Sequence, residues 1–240
     1  MQPPAGGSKG SDLDWTRYTF ATYYALLDCG FRLRPTAGTA SGVHPVPLGF
    51  GRVYVHLPRG FGYQEWWRGL DAGRSFVTTG PMLLVRVEGR EPGHRFLPES
   101  GAAVEARVSG EVLSELPVES VEVVVNGEVV RRIEPRPEKN AEGACTARFE
   151  ERVKLESSSW IAVRCWEPRE GGRQRFAHTA PWHFDLPGLP LRPRRSEVEF
   201  LAQRVKDEIE RSRAALPAEA LAEYEEALRA YQGLLGSARP

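Results

Sequence analysis

The sequence predicts an α+β protein in three parts: a partial (β/α) barrel-like segment, an immunoglobulin-like β-sandwich and a C-terminal helical hairpin. Three observations predict it. Helices and short strands alternate as far as Pro81. From Met82 onward extended segments follow one another, with turn residues between them. After Ser196 two stretches carry apolar residues at helical spacing. The expected boundaries are a flexible lead-in at 1–14, the α/β segment at 15–81, the sandwich at 82–188 and the helical tail at 189–240.

Met1 to Ser11 is rich in Pro, Gly and Ser and has no apolar centre, so it does not read as a secretory signal. Its composition suits a start site placed inside a longer reading frame. Trp15 to Cys29 then reads as a helix, with Phe20, Tyr23, Tyr24 and Leu27 on one side, Asp14 as its cap and Gly30 as its stop. Phe31 to Leu33 starts a short strand, and Pro35 to Gly51 is a long Gly- and Pro-rich loop. Arg52 to Leu57 is a strand of β-branched and aromatic residues. Tyr63 to Ala72 is a helix burying Trp66, Trp67 and Leu70, and Ser75 to Thr78 is extended. Three short strands cannot bury both faces of a parallel sheet, so further strands must come from elsewhere.

Seven extended segments follow: Met82–Val87, Val104–Val108, Val118–Val125, Val129–Ile133, Phe149–Leu155, Trp160–Trp166 and Phe176–Leu186. Asn126-Gly127 between two β-branched runs marks a type I′ hairpin. Phe149, Val153 and Leu155 alternate with Glu150, Arg152 and Lys154, as in a strand buried on one face. Seven short strands in this span suit a sandwich of the immunoglobulin type. Pro135 to Gly143 reads as a polar loop. Beyond the Pro- and Arg-rich connector, Ser196 and Glu199 match a capping box, and Pro217 opens a second helix running through Leu235. Each helix carries one apolar stripe and needs a surface to cover it.

The 240 residues contain 32 basic and 32 acidic side chains. That balance argues against a nucleic-acid partner or an anionic membrane, and no apolar run is long enough to span a bilayer. Three cysteines at wide spacing make neither a disulfide framework nor a zinc motif; Cys29 and Cys165 read as core thiols, and a Cys145–Cys165 bridge stays open.

Four stretches stand in order along the chain: Tyr24 to Val43, which contains Gly38-Thr39-Ala40; Gly51-Arg-Val-Tyr-Val-His56; Gly73-Arg-Ser-Phe-Val-Thr-Thr-Gly-Pro81; and Phe176-Ala-His-Thr-Ala-Pro181. Together they resemble the carboxy-terminal half of the CehA/McbA-type metallohydrolases, relatives of the polymerase-and-histidinol-phosphatase (PHP) domain. The resemblance covers Trp15 to Leu186. It implies a distorted (β/α) barrel that holds divalent Zn or Mn and hydrolyses ester-like bonds with metal-activated water. It also implies that most metal ligands, including a His-x-His pair, lie in an amino-terminal region preceding this stretch. The late Asp of a Gly-Thr-Asp motif falls at Ala40, whose methyl group can neither coordinate a metal nor orient a water.

The expected chain is therefore the C-terminal part of such a hydrolase, without catalytic residues or bound metal of its own. Its expected partner is the missing amino-terminal barrel region or another protein chain. The alternative is a non-enzymatic sandwich that binds a protein or a glycan. The candidate substrate-binding residues are His44, Arg52 and His56. His44 lies four residues past Ala40, and His56 is in phase with Tyr54 and out of phase with Val53, Val55 and Leu57. Solvation of His44 and a layer position for His56 are the plainer readings. No Gly-x-Ser-x-Gly or phosphate loop is present. The tryptophans read mainly as core, with sugar stacking as the other reading.

Overall fold

The computed structural model describes residues 12–40, 42–43 and 46–240. It has four helices among the described residues: α1 (Asp12–Asp28), α2 (Tyr63–Asp71), α3 (Arg195–Ser212) and α4 (Ala218–Leu234). The strands are β1 (Arg52–Val55), β2 (Ser75–Thr78), β3 (Met82–Val87), β4 (Arg95–Phe96), β5 (Val104–Ser114), β6 (Ser120–Val125), β7 (Glu128–Ile133), β8 (Glu138–Lys139), β9 (Cys145–Leu155), β10 (Ser159–Pro168), β11 (Gln174–Thr179) and β12 (Trp182–Phe184). The class is α+β, with two mainly antiparallel sheets, neither of which closes into a barrel.

The chain divides into two compact units, the described residues up to Leu33 with Leu191–Pro240, and Arg34–Pro190. These boundaries differ from the expected ones. The first helix belongs with the tail, and residues 12–14, expected in the lead-in, are helical; the rest of the lead-in, 1–11, lies outside the described residues.

In the helical unit, α1 buries Phe20, Tyr24 and Leu27, spaced at i, i+4 and i+7. Tyr18 meets Phe200 of α3 edge-on, with ring centroids 6.5 Å apart. Arg194 joins the two helices: its Nη2 lies 3.6 Å from Asp28 Oδ2, and its guanidinium also holds Glu197. Both carboxylates are buried. The expected capping box at Ser196 is not formed. Arg194 is the N-cap residue, without a side-chain cap bond, so Ser196 falls inside the first turn. After α4 the chain returns to the start of α3, where the Arg239 N–H donates to the Pro193 carbonyl at 2.9 Å. Phe31–Leu33 is not a strand. α1 is closed off instead by a turn at Gly30, φ 91°, with the Phe31 N–H bonded to the Leu26 carbonyl at 3.1 Å.

In the second unit the eight-stranded sheet runs β1-β2-β11-β10-β12-β4, with β6 on β10 and β7 on β6; the other runs β3-β5-β9-β8. One core fills the space between them. Leu83, Val85 and Val87 of β3, Val108 and Val112 of β5, and Phe149 and Val153 of β9 meet Val121, Val123, Ile161, Val163 and Trp182 from the larger sheet. Each such side chain contributes about 1.5–3 kcal/mol on burial. Asn126-Gly127 forms the expected tight turn, both residues at positive φ, with Val125 opposite Glu128. The expected last strand is two, because Pro181, lacking an N–H, interrupts it; β11 and β12 then pair with different ends of β10. β5 and β9 run longer than expected, and β4 and β8 are short additions.

The barrel-like reading of 15–81 differs from the structure in its pairing. β1 and β2 are antiparallel to each other, and β2 pairs with β11 through Thr78–Ala177, Val77–His178 and Phe76–Thr179. The strands that the short α/β stretch lacked come from the sandwich. α2 covers β1 through Gly69, whose missing side chain matters: a methyl there would sit 2.4 Å from Val55 Cγ1.

All three thiols are free, so Cys145 and Cys165 are not bridged. Burial pushes Cys165 up to about 12. Cys29 is also pushed up to about 12, first by burial and then by the charges of Glu197 and Asp28.

Two predictions follow from this packing. Gly69→Ala gains about 1 kcal/mol of helix propensity but overpacks α2 against β1 at a cost of about 1–3 kcal/mol, so urea unfolding shows a net loss. His178, wholly buried in β11 with Nδ1 2.7 Å from the Thr179 carbonyl, is lowered from 6.5 to about 3, chiefly by desolvation. The folded protein keeps it neutral while the unfolded chain takes up a proton. Its contribution is full above pH 6.5 and is lost as pH falls toward 3, at up to about 1.4 kcal/mol per pH unit. Urea midpoints at pH 7 and pH 5 should show this loss, and His178→Gln should flatten it.

Candidate functional site

A recess of about 580 Å³ opens in the sandwich unit where β1 approaches β3. Its wall is the Tyr54–His56 side of β1, in the alternate phase to Val53 and Val55. Phe76 of β2 lies behind, stacked on Tyr54 with ring centroids 5.3 Å apart and planes 13° apart. The opposite side is β3. Leu83, Val85 and Val87 point into the core and Met82 packs against it at the strand's start, so Leu84 and Arg86 project from the other face. Glu111 of β5, opposite Leu84, and Arg148 of β9, opposite Glu111, extend that face.

The polar groups form a chain of charge. Arg86 Nε and Nη2 both reach Glu91 Oε1, at 2.7 and 2.6 Å. His56 Nε2 stands 3.8 Å from the same oxygen. Arg148 pairs with Glu111 at 3.6 Å. Deeper in, Arg74 Nε is buried, and no hydrogen bond from the described residues reaches it.

Of the sequence candidates, the structure brings His56 to this recess. Arg52 stays one step outside, its guanidinium 5.8 Å over the Tyr54 ring. His44 lies outside the described residues. The loop that carries it is closed at its neck, where the Gly51 N–H donates to Thr39 Oγ1 at 2.8 Å. Thr39 thus has a structural role beside Ala40. His178 sits between β2 and β10, joining the added strands to the sandwich. Trp160 and Trp182 are fully buried core residues, whereas Trp67 of α2 is 48% exposed beside exposed Tyr63 and Phe61. Glu91, Arg86, Arg74, Glu111 and Arg148 are recess residues that the sequence reading missed. They come from separate elements and share no local spacing.

The divalent metal that the resemblance implies is tested by this donor set. Among the described residues no three His, Cys, Asp or Glu side chains gather as ligands. The nearest pair, His56 and Glu91, supplies two donors where zinc takes four, and Arg86 already occupies the carboxylate. These residues do not fit the ion.

The chain beyond β3 is steered by Gly93. Its φ is +82°, and a methyl on it would lie 1.9 Å from the Ala72 carbonyl oxygen at the end of α2. No family model matches the chain, and no curated protein matches it.

Gly93→Ala should lower stability by about 2 kcal/mol or more, because the clash and the left-handed backbone both oppose a side chain. Differential scanning calorimetry checks it.

Proposed function

We propose that this chain is a binding module built on an immunoglobulin-like sandwich, serving as the accessory carboxy-terminal part of a PHP-related metal-dependent hydrolase and not cleaving substrate itself. The observation that carries the binding reading is the recess between β1 and β3. It combines an aromatic wall, a held row of charges and one buried donor, Arg74 Nε, that no described residue hydrogen-bonds. An apolar recess with a few convergent polar groups is the usual form of a ligand site. The resemblance over Trp15–Leu186, with Ala40 where the family has a metal-binding Asp, supports the accessory role.

A second reading rests on Phe61, Tyr63 and Trp67, whose exposed rings suit the flat face of a sugar.

The test is ligand-observed NMR with a small-fragment set, alongside an aryl-ester assay with added Zn²⁺ or Mn²⁺. Fragments should bind and be displaced by Tyr54→Ala, with no metal-dependent turnover. Binding of two metal equivalents with ester hydrolysis would make the chain an enzyme. Fragment binding that ignores Tyr54→Ala but responds to Trp67→Ala would move the site to α2. In-frame coding sequence upstream of Met1 carrying His-x-His tests the link to the hydrolase.

A further inference from the structure

β3 ends in a hairpin that stops almost as soon as it starts. Glu88 and Gly89 both have positive φ, 48° and 71°, the geometry of a two-residue type I′ turn. Val87 and Arg90 exchange both backbone hydrogen bonds, at 3.1 and 2.9 Å. In an ordinary hairpin the chain after Arg90 would run back along β3. Here it leaves. Pro92 is buried and has no N–H, the Gly93 N–H donates to the Pro181 carbonyl at 3.0 Å, and Trp182 Nε1 donates to the Arg90 carbonyl at 2.9 Å. The returning strand is one residue long.

The rest of that edge is open. Successive residues of an antiparallel strand send their N–H and C=O groups to opposite sides. Val87 bonds Arg90, whereas the Glu88 N–H goes to the Arg107 carbonyl on the β5 side at 2.9 Å. Val85 and Leu83, in phase with Val87, therefore face away from β5. Among the described residues β3 pairs with β5 and, beyond it, only through the single Val87–Arg90 bridge. Both Leu83 and Val85 line the recess. Two N–H donors and two C=O acceptors thus face it, two residues apart, or about 7 Å along the strand. That repeat is the repeat of another polypeptide.

Charge narrows the occupant. Three arginines line the recess, Arg74, Arg86 and Arg148, against two carboxylates, Glu91 and Glu111. Glu91 is matched by Arg86 and Glu111 by Arg148. Arg74 has no ion-pair partner among the described residues, and its Nε is buried without a hydrogen bond.

From these observations we infer that the recess takes an extended peptide segment with an acidic side chain, added as a strand on β3 in the place the Arg90 chain leaves. Leu83 and Val85 supply the backbone pairing, Tyr54 covers the strand from β1, and Arg74 takes the carboxylate. This rests on the binding-module reading above and names its ligand.

The probe is a library of acetylated, amidated pentapeptides alternating Val or Thr with one Asp, measured against the full chain by fluorescence anisotropy. The tightest binder is then N-methylated at each position in turn. Methylation at alternate residues should weaken binding about tenfold or more, and at the residues between them hardly at all. Asp-to-Asn in the peptide and Arg74→Gln in the protein should each cost about fivefold, and the two together little more than either alone. Uniform tolerance of N-methylation overturns strand addition. Peptides that fail to bind while small fragments still occupy the recess in a Tyr54-dependent way overturn it too, and leave the binding-module reading standing. If neither binds, both fall.

Discussion

The pairing of β2 with β11 is the constraint on which the sandwich unit depends. Three residue pairs attach β2 to a strand about a hundred residues later in the chain. Thr78 reinforces the join: its hydroxyl donates to the Pro81 carbonyl at 2.6 Å and accepts from the Gly80 N–H at 2.8 Å, fixing the corner that sends the chain into β3. β1 is held by β2, so it arrives beside β3 only because β2 is docked. The wall of the recess and its opposite edge are therefore set by one long-range register. Such non-local pairing is slow to form, and the recess should be among the later features of the unit to assemble.

Much of this was legible in the sequence, and the parts that were not share a cause. Asn126-Gly127 announced its hairpin because the turn demands residues that tolerate positive φ, and β3 was found to the residue because Gly80-Pro81 ends the helix-and-strand part just before it. The helices showed in their apolar spacing. The strands near residues 52–78 were found, but their partner was not, since four residues do not encode which distant edge they will join. The strand expected at Val104–Val108 runs on through Gly110; a side chain there would meet the Leu84 carbonyl at 2.6 Å and the Phe149 ring at 2.9 Å, so the glycine serves close sheet packing. The capping box at Ser196 was outweighed by the buried charges of Asp28 and Glu197 gathering on Arg194. For the recess, His56 could be found from its phase with Tyr54. Glu91, Arg86 and Arg74 could not, because what makes them a site is the early departure of the chain at Pro92.

Charge is balanced over the chain, and the interior shows how that balance is used. Glu122 is buried on β6 and accepts from Arg164 Nε at 2.6 Å, Trp166 Nε1 at 3.0 Å and Arg132 Nη1 at 3.2 Å, which ties three adjacent strands together. Buried ions of this kind add little net stability, but an unmatched one is costly, so they penalise any other register of β6, β7 and β10. Arg74, whose buried Nε has no hydrogen bond among the described residues, departs from that pattern.

The reduced sulfurs give the molecule its own timekeepers. Cys29 lies in the helical unit and Cys165 at the centre of the sandwich, and in the folded state neither carries appreciable thiolate near neutral pH, the form that an alkylating reagent attacks. Labelling of wholly buried Cys165 must wait for the sandwich to open, whereas partly buried Cys29 needs only to lose its proton. A single chain treated with iodoacetamide and digested at intervals would thus record the opening of the sandwich at Cys165 against Cys29 as an internal reference, without any introduced dye or mutation.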